Sequence, residues 1–518
     1  MNNGQQHDLQ ASRLPPELLE LVFGELDIPS LLNCKKVCRL FCAIISKNTG
    51  LQYATELFAA GMDDGPHSSA DKPVRLSALQ SHQHCWDTMK WDPTAGSINM
   101  EDGNAWELCG GVLCQNISGG GVSCFQLPSQ FKGIEAKRWI VPNPGFSVRD
   151  FTMDPSQDLL MLLEVNGELP EQTVIGIHLR NLSDGAPHPL ANGALITHSP
   201  GMEGNFRFAL QICGRRIGVL IADEALQSDS DQELLVWDWR TGQLELFIRG
   251  HELQSFSFAT EDLIIVAVIS SDDEELQSFS LAVLSVSQSP NTATSINDLD
   301  YICALQYPTV NVDIQSVIIR SEPAPGWVPH ASLAVPFFSS LKNRLFVLTT
   351  VFDVSNNTGS NTAVLFIPLS TILSQVQAAA GPSRSVIPWS SWGPHGTRMI
   401  ARRPSETWVC YSFGMKFIQM LPWVQQRRAR IYDFNQYART STPVDGTQDG
   451  KPTWKKLAKS QKINEQMPIF QDDIITYLPG RVAEVHLPSS STYEAVMLSE
   501  DNIVAVSSTL RRYTYLPM

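Results

Sequence analysis

The chain has 518 residues, 43% of them hydrophobic and 18% charged, with a formal charge of −15; it is globular material able to bury a large core, and too acidic for non-specific binding to nucleic acid. At about 150 residues per domain the length allows three domains, although one large all-β domain could absorb most of it. No apolar run reaches the roughly 18 residues of a membrane span and the polar start MNNGQQHDLQ lacks a signal peptide's apolar region, so the expected setting is cytoplasmic or nuclear, with the ten cysteines reduced.

Residues 1–11 read as a disordered start. The next stretch, RLPPELLELVFGELDIPSLLNCKKVCRLFCAIIS from Arg13 to Ser46, is dense in apolar side chains. Pro15 and Pro16 open a helix predicted to run from Pro16 to Leu26, because proline fits a first turn and breaks an interior. At about 100° per residue, Leu18, Leu19, Leu21, Val22, Phe23 and Leu26 span an arc of roughly 200°. Glu25 is the one charge inside that arc. A second helix predicted from Val37 to Ser46 is equally broad. Between them Asp27 or Ser30 caps a short helix entered at Pro29 and carrying Leu31 and Leu32. A surface helix needs an apolar stripe of only a little over about 100°. Either the segment packs on the rest of its own chain, or it is half of an interface. Cys34, Cys38 and Cys42 share a helical spacing without any CxxC pair, and read as small core residues in preference to a zinc site.

Leu14-Pro15-Pro16-Glu17-Leu18-Leu19, then Val22, Leu26, Ile28-Pro29, Leu31-Leu32 and Val37-Cys38-Arg39-Leu40-Phe41 with Ile44, resembles an F-box over residues 12–60. The chain departs from the pattern at Leu51-Gln52, where F-boxes often carry Leu-Trp. The resemblance implies a small all-α domain that docks on a Skp-type adaptor and through it on a cullin. It implies adaptor contacts from Leu14, Pro15, Pro16, Leu18, Leu19, Val22, Leu26, Ile28, Pro29, Leu31, Leu32, Val37, Cys38, Phe41 and Ile44.

Residues 61–103 read as a linker with a helix predicted from Ser77 to Trp91. From 104 to 518 short runs of Val, Ile, Leu and Phe recur between turn residues, among them DLLMLLEV (158–165), RIGVLIA (216–222), ELLVWDW (233–239), DLIIVAVI (262–269), AVLFIPL (363–369) and DNIVAVSS (501–508). TILSQVQAAA (371–380) is a possible short helix. Asp150-Phe151-Thr152-Met153 and Ser255-Phe256-Ser257-Phe258 open groups of strands. Val236-Trp237-Asp238-Trp239-Arg240-Thr241-Gly242, followed by Gly250-His251, resembles the seam between two WD-type propeller blades. Ala429-Arg430-Ile431-Tyr432-Asp433-Phe434 is a weaker echo. Trp86-Asp87 and Trp91-Asp92 lie outside any strand run and are discounted. The expected fold is an all-α F-box followed by a large all-β domain, a propeller of six to eight blades with seven the best fit; a pair of irregular sandwiches and leucine-rich repeats are the alternatives, and no Leu-x-x-Leu-x-Leu period is present. The layout resembles fungal-type F-box proteins with a degenerate propeller.

A polar insertion, 436–468, breaks the rhythm. Between Arg427 and Lys462 nine basic residues face three acidic ones, and Arg427, Arg428, Lys455, Lys456 and Lys459 are candidates for contact with an acidic ligand, against the plain alternative of a solvated loop. The acidic runs 223–231 and 272–275 read as blade loops. No Walker A loop, GxGxxG, GxSxG or HExxH is present, so neither cofactor nor metal is expected. The expected function is non-catalytic: a receptor whose F-box binds the Skp-type adaptor and whose propeller binds an unknown protein substrate for ubiquitination. A scaffold that uses the F-box without ubiquitination, and a propeller enzyme with a helical cap, are the alternatives.

Overall fold

A computed structural model describes residues 14–91, 96–101, 103, 105–167, 173–202, 205–223, 232–270, 277–286, 293–296, 298, 300–354, 361–379, 384–402, 410–421, 428–438, 454–488, 492–507 and 512–518. The expected disordered start, Arg427 and most of both acidic runs lie outside them. No helix among the described residues is long and apolar enough to cross a membrane.

Five helices come first: α1 (Pro16–Gly24), α2 (Ile28–Val37), α3 (Arg39–Lys47), α4 (Thr49–Ala60) and α5 (Lys72–Thr88). α1 stops two residues short of the predicted Leu26, so Glu25 is its exposed C-cap and lies past the last turn. The Asp27 side chain caps α2, accepting from Ser30 N at 2.9 Å. The helix predicted to start at Val37 is two pieces: α2 runs through Val37, the chain turns extended at Cys38 (φ −154°, ψ 165°), and α3 begins. Cys38 Sγ accepts from Phe41 N at 3.4 Å. Cys38 is thus an exposed cap instead of the expected core residue, because its thiol takes one of the free donors of a helix start. α5 begins earlier than predicted, with Pro73 in its first turn, and ends at Met89 in the left-handed region (φ 48°). α4 has no counterpart among the predicted elements.

Seven sheets come next in ring order, each four strands deep or one more. Blade 1 has strands 106–109, 112–116, 122–126 and 137–141; blade 2 spans 150–198, blade 3 spans 206–250, blade 4 spans 253–306, blade 5 spans 314–402 and blade 6 spans 412–486. Blade 7 takes three strands from the C-terminal end (493–498, 502–507, 512–517) and its outer strand, Gly96–Asn99, from before blade 1. That outer strand pairs antiparallel with Arg512–Tyr515 and closes the ring. It lies inside the stretch read as linker, because four residues with only Ile98 apolar give no strand signal.

The continuous apolar runs have a simple origin. In the strand Leu263–Ser270 of blade 4, Ile264, Val266 and Val268 pack toward blade 3, while Ile265, Ala267 and Ile269 pack toward blade 5. A strand covered on both faces loses the polar half of its alternation. Trp237-Asp238 ends the third strand of blade 3, and Gly250-His251 lies at the turn into blade 4. Asp238 Oδ1 accepts from Arg240 N at 2.9 Å, and Trp239 Nε1 donates to Gly214 O at 3.0 Å. The helix expected at 371–380 is α6 (Leu369–Ala378).

Candidate docking site on the N-terminal helices

α1 to α3 divide their apolar residues between two faces. Leu19, Phe23, Leu31, Ile44, Ile45 and Leu51 make a small core, with Leu26, Ile28, Cys34 and Phe41 partly buried against it. Phe23 and Phe41 meet edge to face, their centroids 5.0 Å apart. The other face is left to solvent: Leu14, Leu18, Leu21, Val22, Val37 and Leu40 are large, apolar and exposed. Their exposure runs from 41% at Leu40 to 68% at Leu21. Burying each would contribute roughly 1.5–3 kcal/mol, so these side chains are costly to leave open and make this a candidate interaction site.

The residues implied by the F-box resemblance therefore separate. Leu14, Pro15, Pro16, Leu18, Val22, Pro29, Val37 and Cys38 are exposed; Leu26, Ile28, Leu32 and Phe41 are half-buried; Leu19, Leu31 and Ile44 are buried. The last three hold the helices together and have little surface to offer a partner. Leu21 and Leu40 belong to the exposed face and are not among those fifteen. Leu21 lay inside the helical arc but outside the motif, and Leu40 stood within the motif's Val37–Phe41 run without being assigned a contact.

α4 and α5 fasten these docking helices to the propeller. Leu57 on α4 packs with Leu76 and Leu79 of α5, and Tyr53, also on α4, is buried in the same cluster. The Tyr53 hydroxyl donates to Pro336 O at 2.7 Å, and Asp63 pairs in register with Phe338 of a blade 5 loop. His82 and Trp86 of α5 are fully buried. His82 Nε2 lies 3.0 Å from Asp501 Oδ1. Lys132 Nζ reaches Glu500 Oε2 at 2.8 Å and Asp501 Oδ2 at 3.0 Å. Burial holds His82 below its ordinary value, and burial pushes Glu500 up to about 7. For Lys132 the Asp501 and Glu500 carboxylates outweigh burial and raise it. Asp501 and Glu500 sit in the first turn of blade 7, and Lys132 between the last two strands of blade 1. α5 thus clamps the blades on either side of the ring's closing seam.

The discounted Trp86-Asp87 takes part in this clamp. Asp87 Oδ1 accepts from Arg481 Nη1 at 2.8 Å, and Arg481 also binds Asp433 and stacks on Trp454 with 4.2 Å to the ring centroid. Trp454 Nε1 donates to Trp86 O at 3.1 Å. The Phe58 and Tyr437 rings lie 4.5 Å apart. Tyr437 and Trp454 belong to the polar insertion, so its described ends pack on α4 and α5. Of its basic residues, Lys455 and Lys456 form an exposed outer strand beside Val482 and Arg481, and Lys459 is exposed past that strand. Arg428 opens the third strand of blade 6. The Arg430 hydrogen bond, helped by the charges of Arg428 and Lys455, holds Glu484 below its usual range. The insertion's sequence carried no signal for its packing role, since Trp454 and Tyr437 stand alone in polar surroundings.

The connections beneath α4 and α5 fix which face is covered. They run between first and second strands (336–340, 414–416, 499–501) and between third and fourth strands (127–136, 434–438). The first strands of all blades begin at the opposite face.

Residues 11–51 match the family described as F-box-like. No curated protein matches the chain. Among solved structures, the tricorn protease is similar at 11% identity and a TM-score of 0.34, over 82% of this chain and 34% of that one; this chain therefore spans about a third of the protease's length. BamB from Moraxella catarrhalis is similar at 8% identity and a TM-score of 0.36, over 82% of this chain and 98% of its own. Sqt1 from Chaetomium thermophilum is similar at 12% identity and a TM-score of 0.35, over 81% and 84%.

Proposed function

We propose that this chain, an F-box-like helical segment joined to a seven-bladed propeller, is the substrate receptor of a Skp–cullin–F-box type ubiquitin ligase. The face formed by Leu14, Leu18, Leu21, Val22, Val37 and Leu40 takes the Skp-type adaptor, and the adaptor takes the cullin. The propeller binds the target protein by the face away from α4 and α5. The chain itself does no covalent chemistry; it works in the cytoplasm or nucleus by holding a target lysine near a charged ubiquitin-conjugating enzyme, which raises effective concentration.

The observation that carries this reading is the pairing of an uncovered apolar face with a rigid mount. A tether would leave the distance between adaptor and target undefined. Here two helices, a strand pairing and a buried charge cluster join the docking helices to the ring.

The test is co-purification of the full chain with a Skp-type adaptor, comparing wild type with Leu18→Glu combined with Val37→Glu. Two buried charges at the interface centre should lower adaptor recovery at least about tenfold, since an unpaired buried charge costs several kcal/mol. Undiminished recovery sinks the reading. Accumulation of propeller-bound proteins on cullin inhibition supports a receptor; unchanged levels favour a scaffold.

A further inference from the structure

Blade 1 carries three thiols that the proposed function does not use, Cys109, Cys114 and Cys124, and two of them face each other. Cys114 and Cys124 stand directly opposite one another on the strands Val112–Asn116 and Val122–Gln126. Both are fully buried. The Cys114 thiol donates to Cys124 Sγ at 2.8 Å, closer than two unbonded sulfurs normally approach.

The hydrogen-bond phase of this hairpin explains the approach. Ile117 N donates to Gly121 O and Leu127 N donates to Gly111 O. Antiparallel pairs alternate between bonded and non-bonded, so 117/121, 115/123, 113/125 and 111/127 are the bonded pairs. Cys114/Cys124 falls on the alternate, non-bonded phase, where opposing Cα atoms are about 4.5 Å apart and side chains are closest. A disulfide spans Cα separations of about 4.4–6.8 Å, so this position admits one without moving either strand. The turn that sets the register contains Gly119, Gly120 and Gly121, at φ of 103°, 105° and 95°. Those angles suit glycine alone.

We propose that Cys114 and Cys124 form a reversible cross-strand disulfide, a redox modification site that staples the central hairpin of blade 1. The co-reactant is a peroxide. One thiol attacks the peroxide O–O bond, giving a sulfenic acid and one water (or alcohol); the second thiol attacks that sulfur, expelling a second water and closing the S–S bond. Two electrons pass from the two sulfurs to the peroxide, and both thiol protons leave in the products. A dithiol reductant reverses the step.

Burial pushes the Cys114 thiol well above its ordinary value, so little thiolate exists in the closed ring and oxidation there is slow. The hairpin is local in sequence, and its thiols are open to the oxidant before neighbouring blades cover them. Oxidation is therefore fastest during folding.

The full chain is treated with hydrogen peroxide in two arms, native and during refolding from denaturant. Each sample is then unfolded with an alkylating agent and its peptides are weighed. The expected result is joint loss of alkylation at Cys114 and Cys124, a linked peptide two hydrogens lighter, and recovery of both thiols with dithiothreitol. The link should form faster in the refolding arm. Cys114→Ser should leave Cys124 alkylated, and Cys114→Val serves if a hydroxyl in this dry core prevents folding. Full alkylation of both residues in both arms overturns the proposal, as does linkage of either to any other cysteine.

Discussion

Leu18 and Leu19 are consecutive in the chain and opposite in environment, 47% exposed against 4%. One turn of α1 thus presents one leucine to solvent and drives its neighbour into the small helical core. Leu19→Ala should destabilise the docking helices by about 2–5 kcal/mol, the usual cost of deleting a buried leucine side chain. Leu18→Ala should leave their stability within about 0.5 kcal/mol and still weaken adaptor binding. Hydrogen exchange of residues 16–47 and adaptor affinity, measured on both variants, check the split. Equal destabilisation by the two substitutions would refute the assignment of faces.

Trp86 joins α5 to the propeller through its ring and its carbonyl. Trp86→Ala should cost about 3–5 kcal/mol at that junction. Amide exchange over 72–88 should accelerate, while adaptor affinity stays at the wild-type level because the docking face is built from other residues. A parallel fall in adaptor affinity would show that the two regions are not separate.

Lys132 is the cation shared by Glu500 and Asp501. Lys132→Met leaves two buried carboxyls facing each other without it, and breaking such a pair costs about 3–5 kcal/mol. A drop of that size in the denaturant stability of the closing seam is expected. A neutral effect would mean that the cluster contributes nothing to fastening α5.

One cavity is lined by Glu107 of blade 1, Asp150 of blade 2 and Glu322 just past the first strand of blade 5, and burial raises them to about 7, 6 and 8. These are acids whose folded values lie above their unfolded values, so the native chain holds more protons. Their cost is absent below about pH 4, where both states are protonated, and grows as pH rises toward the folded values. Glu322→Gln should therefore stabilise the propeller more at pH 8 than at pH 5, by on the order of 3 kcal/mol. Guanidinium unfolding of the two proteins at both pH values measures the difference. A benefit that is larger at pH 5 contradicts it.

Gly96–Asn99 is the outer strand of blade 7. A chain starting at residue 105 loses that strand and exposes the edge of Arg512–Pro517, a template for aberrant pairing. It should aggregate or melt about 1–2 °C below a chain starting at residue 90, the shift that loss of roughly 1–2 kcal/mol implies for a domain of this size. Equal midpoints and equal solubility would show that closure by this strand is dispensable.

Much of this architecture was legible in the residues. The apolar strand runs are long because neighbouring blades cover both faces, and Asp150-Phe151 and Ser255-Phe256 do lie in the first strands of blades 2 and 4. The exposed side of α1 was foreshadowed by an arc too wide for one core. The break at Cys38 was not, since a single backbone rotation there leaves the apolar spacing of Val37 to Ile45 nearly helical. The strand Gly96–Asn99 was hidden for a related reason: its partner lies some 400 residues away, in the C-terminal strand Arg512–Pro517, and an outer strand half open to solvent needs little hydrophobicity.

The sequence by itself determined the kind of elements and their order along the chain, but not their full number: apolar helices beginning at two prolines, then repeated strands between turn residues. Local preferences and hydrophobic period act over a few residues, so they can be read without the fold. Tertiary structure alone decided which half of the F-box leucines stays uncovered, that Trp86, Trp454 and Lys132 serve as fasteners, and that residues 96–99 close the ring. Each of those depends on what arrives from distant chain, and burial is a property of the assembled molecule.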